Sequence, residues 1–206
     1  MTQITTGLRS LLSLPSAYSL TQNLFGAERA RAVLAREYAR PEPGQCLLDI
    51  GCGTAQILPH LPASVRYVGV DLSQPYIDAA RTTHGDRGEF HCVDVSSVDR
   101  NMFRDFDIVM ATGLLHHLDD DPARDMFRIA HAALRPNGRL ITFDGCFAPH
   151  QSAAARFIIA RDRGRNVRTA EQYVALARDV FREVRVDIRD DLLRIPYTHA
   201  ILECSR

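Results

Sequence analysis

A carboxylate, a tight glycine turn and a second carboxylate further on are the residues of this sequence whose types and spacing can do chemistry. Leu47-Leu48-Asp49-Ile50-Gly51-Cys52-Gly53-Thr54-Ala55 reads as an apolar strand feeding into a glycine turn and then a helix. Gly51 and Gly53 admit backbone geometries and close approaches that a Cβ would block, so a ligand can lie against the main chain there. Asp71 ends the next apolar run, twenty residues after Gly51, where a carboxylate can accept from both hydroxyls of a ribose. A nucleotide-type cofactor is implied.

The neighbouring residues narrow the choice of cofactor. A dinucleotide fingerprint wants glycine at position 56, and this chain has Gln56. Asp49, just before the turn, would repel a pyrophosphate but can hold an ammonium group directly or through water. The methionine half of S-adenosylmethionine offers an ammonium and a sulfonium and no phosphate. An NAD-dependent reductase is disfavoured by the same two residues.

Together these residues resemble the first motif of the class I S-adenosylmethionine-dependent methyltransferases, an acidic residue, an apolar one and a Gly-x-Gly-x-Gly run, with Ala55 in the last glycine's place. The resemblance implies that Asp71 binds the ribose and that Asp94, in His91-Cys92-Val93-Asp94-Val95, bonds the adenine amino group. It also implies that Thr112-Gly113-Leu114-Leu115-His116-His117-Leu118 lines the methionine and the acceptor. The cofactor-binding set expected is Asp49, Gly51, Cys52, Gly53, Asp71, Leu72, Asp94, Val95, Thr112 and Gly113.

Two further groups bear on the acceptor. A histidine beside the methyl-transfer axis can take a proton from a hydroxyl, since imidazole is substantially neutral near pH 7; His117 is the first candidate and His116 the second. Equally, one ring can pack under the cofactor while the other caps a helix. Arg156, Arg161, Arg163, Arg165 and Arg168 crowd the stretch after the fifth strand, and guanidinium groups grip anions in bidentate geometry. Arg156 and Arg161 read as a solvated helix face; Arg163, Arg165 and Arg168 are candidate anchors of an anionic acceptor. Tyr18 is either a contact to methionine or acceptor, or a packing residue of a cover.

The elements that must position these residues alternate short β-rich runs with helical patterns, the signature of parallel βαβ units. Strands are expected at 45–50, 65–71, 89–93, 106–112 and 139–143, and an antiparallel pair at 183–188 and 197–204. Ser73 opens a helix to about Thr83, Asp121-Pro122 another ending near Leu134, and Arg135-Pro136-Asn137-Gly138 a turn. Helical patterns also cover 20–39, 151–161 and 170–180, the last opened by a Thr169/Gln172 capping box. The fold expected is a Rossmann-like three-layer αβα sandwich on a mixed seven-stranded sheet whose last strand is antiparallel. It is read as one domain over 1–206: a helical cover (1–43), a cofactor-binding core (44–145), and a helical insert with the C-terminal strands (146–206).

With 46% apolar and 24% charged residues the chain is that of an ordinary globular protein, not a disordered one. Basic and acidic residues balance at 25 each, so no overall field favours nucleic acid or an anionic membrane. Five scattered cysteines without a C-x-x-C pair read as reduced, packed thiols, and no ligand cluster argues for a metal. No apolar run is long enough to span a bilayer and the N-terminus is a poor signal peptide, so a cytoplasmic location is expected. The activity expected is methyl transfer from S-adenosylmethionine to a small or medium-sized acceptor, anionic if the arginines act on it, at oxygen. N-methylation and a non-catalytic S-adenosylmethionine-binding module are the alternatives.

Overall fold

The computed structural model describes residues 26–94, 102–162 and 164–206. Four strands, β1 (Cys46–Ile50), β2 (Arg66–Asp71), β3 (Glu89–Cys92) and β4 (Phe106–Thr112), lie parallel to one another in the order β3-β2-β1-β4. β5 (Leu134–Phe147) continues the parallel set beside β4. The sheet is completed by β8 (His199–Ser205), antiparallel to β5, and by β7 (Glu183–Arg189) at the edge, antiparallel to β8. Because β1, β2 and β4 are buried on both faces, their sequences are near-continuous apolar runs. The carboxyl ends of β1 to β5 therefore share one edge, where ligands bind in open α/β sheets.

One layer is formed by α3 (Asp120–Ala133) and α5 (Ala170–Arg178); Met126, Phe127, Ala130, Tyr173 and Leu176 pack there on Leu48, Val70, Val109 and Leu140. The opposite layer is formed by α1 (Ala27–Val33), whose last turns Leu34–Ala39 widen into π-helix, and by α2 (Gln74–His84). Their Val33, Leu34, Tyr38 and Ile77 meet Leu47, Tyr67, Ile108 and Ile141. α4 (Ala153–Ile159) starts at Ser152, whose hydroxyl accepts from the Ala155 N–H. α5 starts with the expected capping box: the Thr169 hydroxyl accepts from the Gln172 N–H and the Gln172 side chain from the Thr169 N–H. Among the described residues, no helix is long and apolar enough to cross a membrane.

Three features depart from the sequence reading. The helix expected after the glycine turn is absent: beyond Ala55, residues 58–60 make one 3-10 turn. Pro59 and Pro62 explain it: each lacks an N–H, and Pro62 holds Leu61 extended (ψ 146°), which ends the turn. Ala55, in the third glycine's place, adopts φ 54°, the left-handed conformation a glycine would take without cost. Residues 135–138 form an excursion within β5, not a turn before it: Phe106 pairs with Leu134 and Ile108 with Arg139. The sheet also has an eighth strand, β6 (Arg168–Thr169), which pairs with the end of β5. Residues 20–25 of the expected first helix lie outside the described residues.

Candidate cofactor and acceptor site

The glycine turn is pinned to β2 from both ends. The Gly51 and Cys52 N–H groups donate to the Val70 carbonyl at 2.8 and 3.0 Å, and the Gly53 N–H donates to Asp71 Oδ2 at 2.9 Å. Asp71 Oδ1 accepts from the Ser73 N–H at 2.8 Å, so Ser73 opens α2 through its backbone; its hydroxyl makes no cap bond. A carboxylate has about four lone-pair sites, so each Asp71 oxygen keeps room for one more donor. Gly51 (φ 75°) and Gly53 (φ 55°) both need the left-handed conformation. A Cβ on Gly51 would lie 3.2 Å from Leu114, whereas one on Gly53 would meet nothing within 4 Å. The turn thus packs against the loop after β4 on one side and opens a cradle on the other.

Asp49 lies beneath that cradle, 1% exposed. Its Oδ2 accepts from the Tyr67 hydroxyl at 2.7 Å, while its Oδ1 is buried without a hydrogen-bond partner. Burial, aided by the nearby Asp71 charge and opposed by the Tyr67 bond, raises its pKa to about 7. Tyr67 pairs with Leu47 and Gly69 with Asp49, so the phenol reaches Asp49 diagonally across Gly69. A side chain on Gly69 would stop it, because a Cβ there would lie 3.0 Å from the Tyr67 ring and 2.8 Å from Cys52 Sγ. Tyr67 and Gly69 escape the sequence reading; Tyr-x-Gly-x-Asp at a strand end was the available signal.

The remaining expected cofactor residues that are described lie at the same edge. Leu72 is 48% exposed at the end of β2, the Asp94 side chain is half-buried after β3, and Val95 lies outside the described residues. Cys52 is buried, its thiol pKa pushed up by burial and the nearby Asp49 and Asp71 carboxylates. Beyond half-buried Thr112, Gly113 (φ 67°) donates its N–H to the Phe143 carbonyl at 2.7 Å. An ammonium donor would satisfy the orphan Asp49 oxygen, a ribose would complete Asp71, and exposed Leu72 offers an apolar face to a base. The residues present therefore fit S-adenosylmethionine.

In the turn after β4, His116 is 8% exposed and its Nδ1 lies 2.7 Å from Asp144 Oδ1. Its Nε2 lies 3.7 Å from Asp162 Oδ1, and Asp162 Oδ2 accepts from the Tyr197 hydroxyl. Burial disfavours the imidazolium, but the Asp144 hydrogen bond and the two carboxylate charges outweigh it and raise the His116 pKa. Both ring nitrogens thus face carboxylates, Asp144 on one side and Asp162 on the other, which departs from the expectation of His116 as a free base. His117 is half-buried, its ring centroid 4.1 Å from that of His116.

Arg168 is 7% exposed and not a free anion anchor. Its Nε and one Nη2 proton go to Asp120 Oδ1, its Nη1 protons to the Leu115 and Asn166 carbonyls, and its other Nη2 proton to the Leu118 carbonyl. Those bonds occupy all five donors of a guanidinium, so Arg168 braces the turn that carries the histidines. Arg165 is exposed; Arg163 and Tyr18 lie outside the described residues. Two recesses elsewhere, about 630 Å³ beside Gly26 and Leu193 and about 420 Å³ beside Arg66 and Asp86, include no residue of the glycine turn or the His116 turn.

Residues 48–140 match the family model described as a methyltransferase domain. Phosphoethanolamine N-methyltransferase 3 of Arabidopsis thaliana is 28% identical over 156 residues, covering 73% of this chain and 31% of its own. Ubiquinone biosynthesis O-methyltransferase of Rhodopseudomonas palustris (strain BisB5) is 33% identical over 103 residues, covering 48% of this chain and 39% of its own. The chain thus spans about a third of the length of these curated relatives. The crystal structure of the S-adenosylmethionine-dependent methyltransferase SibL superposes with TM-score 0.75 at 18% identity, over 97% of this chain and 59% of that one. Over residues 48–140 the chain is thus similar to a methyltransferase domain, and its fold is that of S-adenosylmethionine-dependent methyltransferases such as SibL.

Proposed function

We propose that this protein transfers the methyl group of S-adenosylmethionine to an oxygen of a small or medium-sized acceptor. The observation that carries the reading is the orphan Oδ1 of buried Asp49 beneath an open glycine cradle, a site for a cationic amino acid moiety beside a ribose-binding Asp71. Bound there, the cofactor supplies a methyl already activated by positive sulfur. The chain's task is then to orient the acceptor, exclude water and remove a proton. Leu114, against Gly51, brings the loop of the histidines to the methionine end of the cradle. With His116 engaged by carboxylates, His117 is the histidine proposed as proton acceptor for a hydroxyl.

The anionic-acceptor reading loses its best-placed residue in Arg168, and the polar groups around His116 are two carboxylates against one imidazolium. That excess of negative charge supports a neutral or cationic acceptor. It also supports N-methylation as the second reading, in which a neutral amine needs positioning but no strong base.

The test is incubation with methyl-labelled S-adenosylmethionine and a panel of hydroxyl- and amine-bearing metabolites, followed by mass detection of products. Methylation of a hydroxyl, with kcat falling roughly 100- to 10,000-fold in His117→Ala, supports the first reading. Methylation confined to amines and insensitive to His117→Ala supports the second. S-adenosylhomocysteine binding without transfer to any acceptor leaves a binding module.

A further inference from the structure

We propose that His116 is a positioning residue, a buried imidazolium strut that ties Asp162, Gly164 and Asn166, beside the acceptor side, to the end of β5. The proposal rests on the reading above only in calling this the acceptor side; the strut itself is a matter of geometry.

Three kinds of contact converge on this ring. Asp144, the fourth residue from the end of β5, receives two donors at one oxygen, His116 Nδ1 at 2.7 Å and the His116 backbone N–H at 3.2 Å. Asp162, just past α4, faces Nε2 at 3.7 Å and is itself fixed by the Tyr197 hydroxyl and by the Gly164 N–H at 3.1 Å. The chain then presses onto the ring: a Cβ on Gly164 would lie 2.1 Å from His116 Cδ2, and the Asn166 N–H donates to the His116 carbonyl at 3.0 Å. Only glycine can stand at position 164, because any side chain would occupy the imidazole's place.

A ring between two carboxylates bridges them only while both nitrogens carry protons. As the imidazolium, His116 is attracted to both carboxylates in surroundings that screen charge weakly. As neutral imidazole it keeps one N–H, which the shorter Asp144 contact claims, and Nε2 then turns a lone pair toward Asp162. Asp162, Gly164 and Asn166 would lose their electrostatic tie to β5 and retain the Asn166 bond and the Tyr197 contact. The other titratable groups around the ring are His117 at 4.1 Å between centroids, His199 and Tyr197 from the β8 side, and Arg168 with Asp120 behind the Leu115 backbone. His199 is buried and neutral, so the charge that holds these residues is that of His116.

The experiment is a pH series on the intact protein by nuclear magnetic resonance. It reads His116 from its ring signals, assigned by their loss in His116→Asn, and the Gly164 and Asn166 amides from hydrogen exchange corrected for intrinsic rate. The strut predicts a His116 titration above 6.5 and at least a tenfold loss of Gly164 and Asn166 protection as the pH passes that point. Asp162→Asn, which removes the second carboxylate, should lower the titration and leave Gly164 and Asn166 weakly protected across the whole pH range. His116→Asn should show the low-protection state throughout, with an unchanged circular dichroism spectrum and unchanged protection of the β1 and β4 amides as the check on folding. Titration at or below 6.5, or protection unaltered across the titration, overturns the strut. If no acceptor is ever methylated but these signatures appear, the functional reading fails and the strut stands.

Discussion

The Asp71 carboxylate accepts the Gly53 N–H at 2.9 Å, so the acid expected to bind a ribose also shapes the turn that receives the rest of the cofactor. Asp71→Ala is therefore expected to act twice. It removes charge-assisted ribose bonds of roughly 1.5–3 kcal/mol each, weakening S-adenosylhomocysteine binding at least tenfold, and it frees the Gly53 and Ser73 amides. Asp71→Asn keeps one acceptor oxygen and should weaken binding less. Calorimetry on folded protein checks both, and an unchanged affinity in Asp71→Ala would refute the placement.

Gly53 and Gly164 should respond in opposite ways to the same small change. A Cβ at Gly53 meets nothing within 4 Å, so Gly53→Ala should fold, with roughly 1–2 kcal/mol of strain from its left-handed backbone. It should still lose cofactor binding, because the methyl enters the cradle. At Gly164 the added carbon would stand 2.1 Å from His116 Cδ2, so Gly164→Ala must displace the ring and should lower Tm much further. Equal melting temperatures for the two variants would contradict the geometry.

Asp49 makes cofactor affinity depend on pH. Burial holds its pKa at about 7, so in the free protein below that pH the carboxyl is protonated and cannot pair with an ammonium. S-adenosylhomocysteine affinity should rise with pH through about 7 and then level off. In Asp49→Asn the part of that dependence due to this group should vanish, together with at least tenfold in affinity, as read by calorimetry across pH 5.5–8.5.

Two buried groups pull the stability of the free protein in opposite directions. The Asp49 pKa is raised from 3.8 to about 7, so its stabilisation is full below 3.8 and lost as pH rises through about 7. Burial lowers His199 from 6.5 to about 3, so its contribution is full above 6.5 and lost as pH falls toward 3. Between pH 4 and 6.5 each shifts stability by up to about 1.4 kcal/mol per pH unit, and they cancel. Asp49→Asn should then gain stability with rising pH across that window relative to the parent, and His199→Phe should lose it. Urea denaturation at four pH values separates them; parallel curves for all three proteins would exclude this account.

Arg168 and Arg165 differ in sequence position by three residues and in physical role entirely. Arg168→Gln strips donors from the Leu115, Leu118 and Asn166 carbonyls and should cost roughly 3–5 kcal/mol. Arg165→Gln is an exposed change expected within about 0.5 kcal/mol. Denaturant midpoints decide it, and a stable Arg168→Gln variant would show that those carbonyls find other donors.

The parts of the protein legible from its sequence are those governed by neighbours along the chain. Gly51 and Gly53 announce a turn because only that backbone conformation explains them, Asp71 follows at the end of the next apolar run, and Thr169 with Gln172 forms its cap within one helical turn. The order of apolar runs likewise implies the parallel strands and the antiparallel pair that closes the sheet. Tertiary structure decided what depends on residues distant in sequence. Asp49 becomes a buried, half-satisfied carboxyl because β2 brings Tyr67 across Gly69; Arg168 turns inward because the post-β4 turn offers it the Leu115 and Leu118 carbonyls; and His116 is held by acids 28 and 46 residues away. Periodicity and local propensity carry no record of such pairings, since they arise only when separate elements meet and each buried polar group must find a partner there.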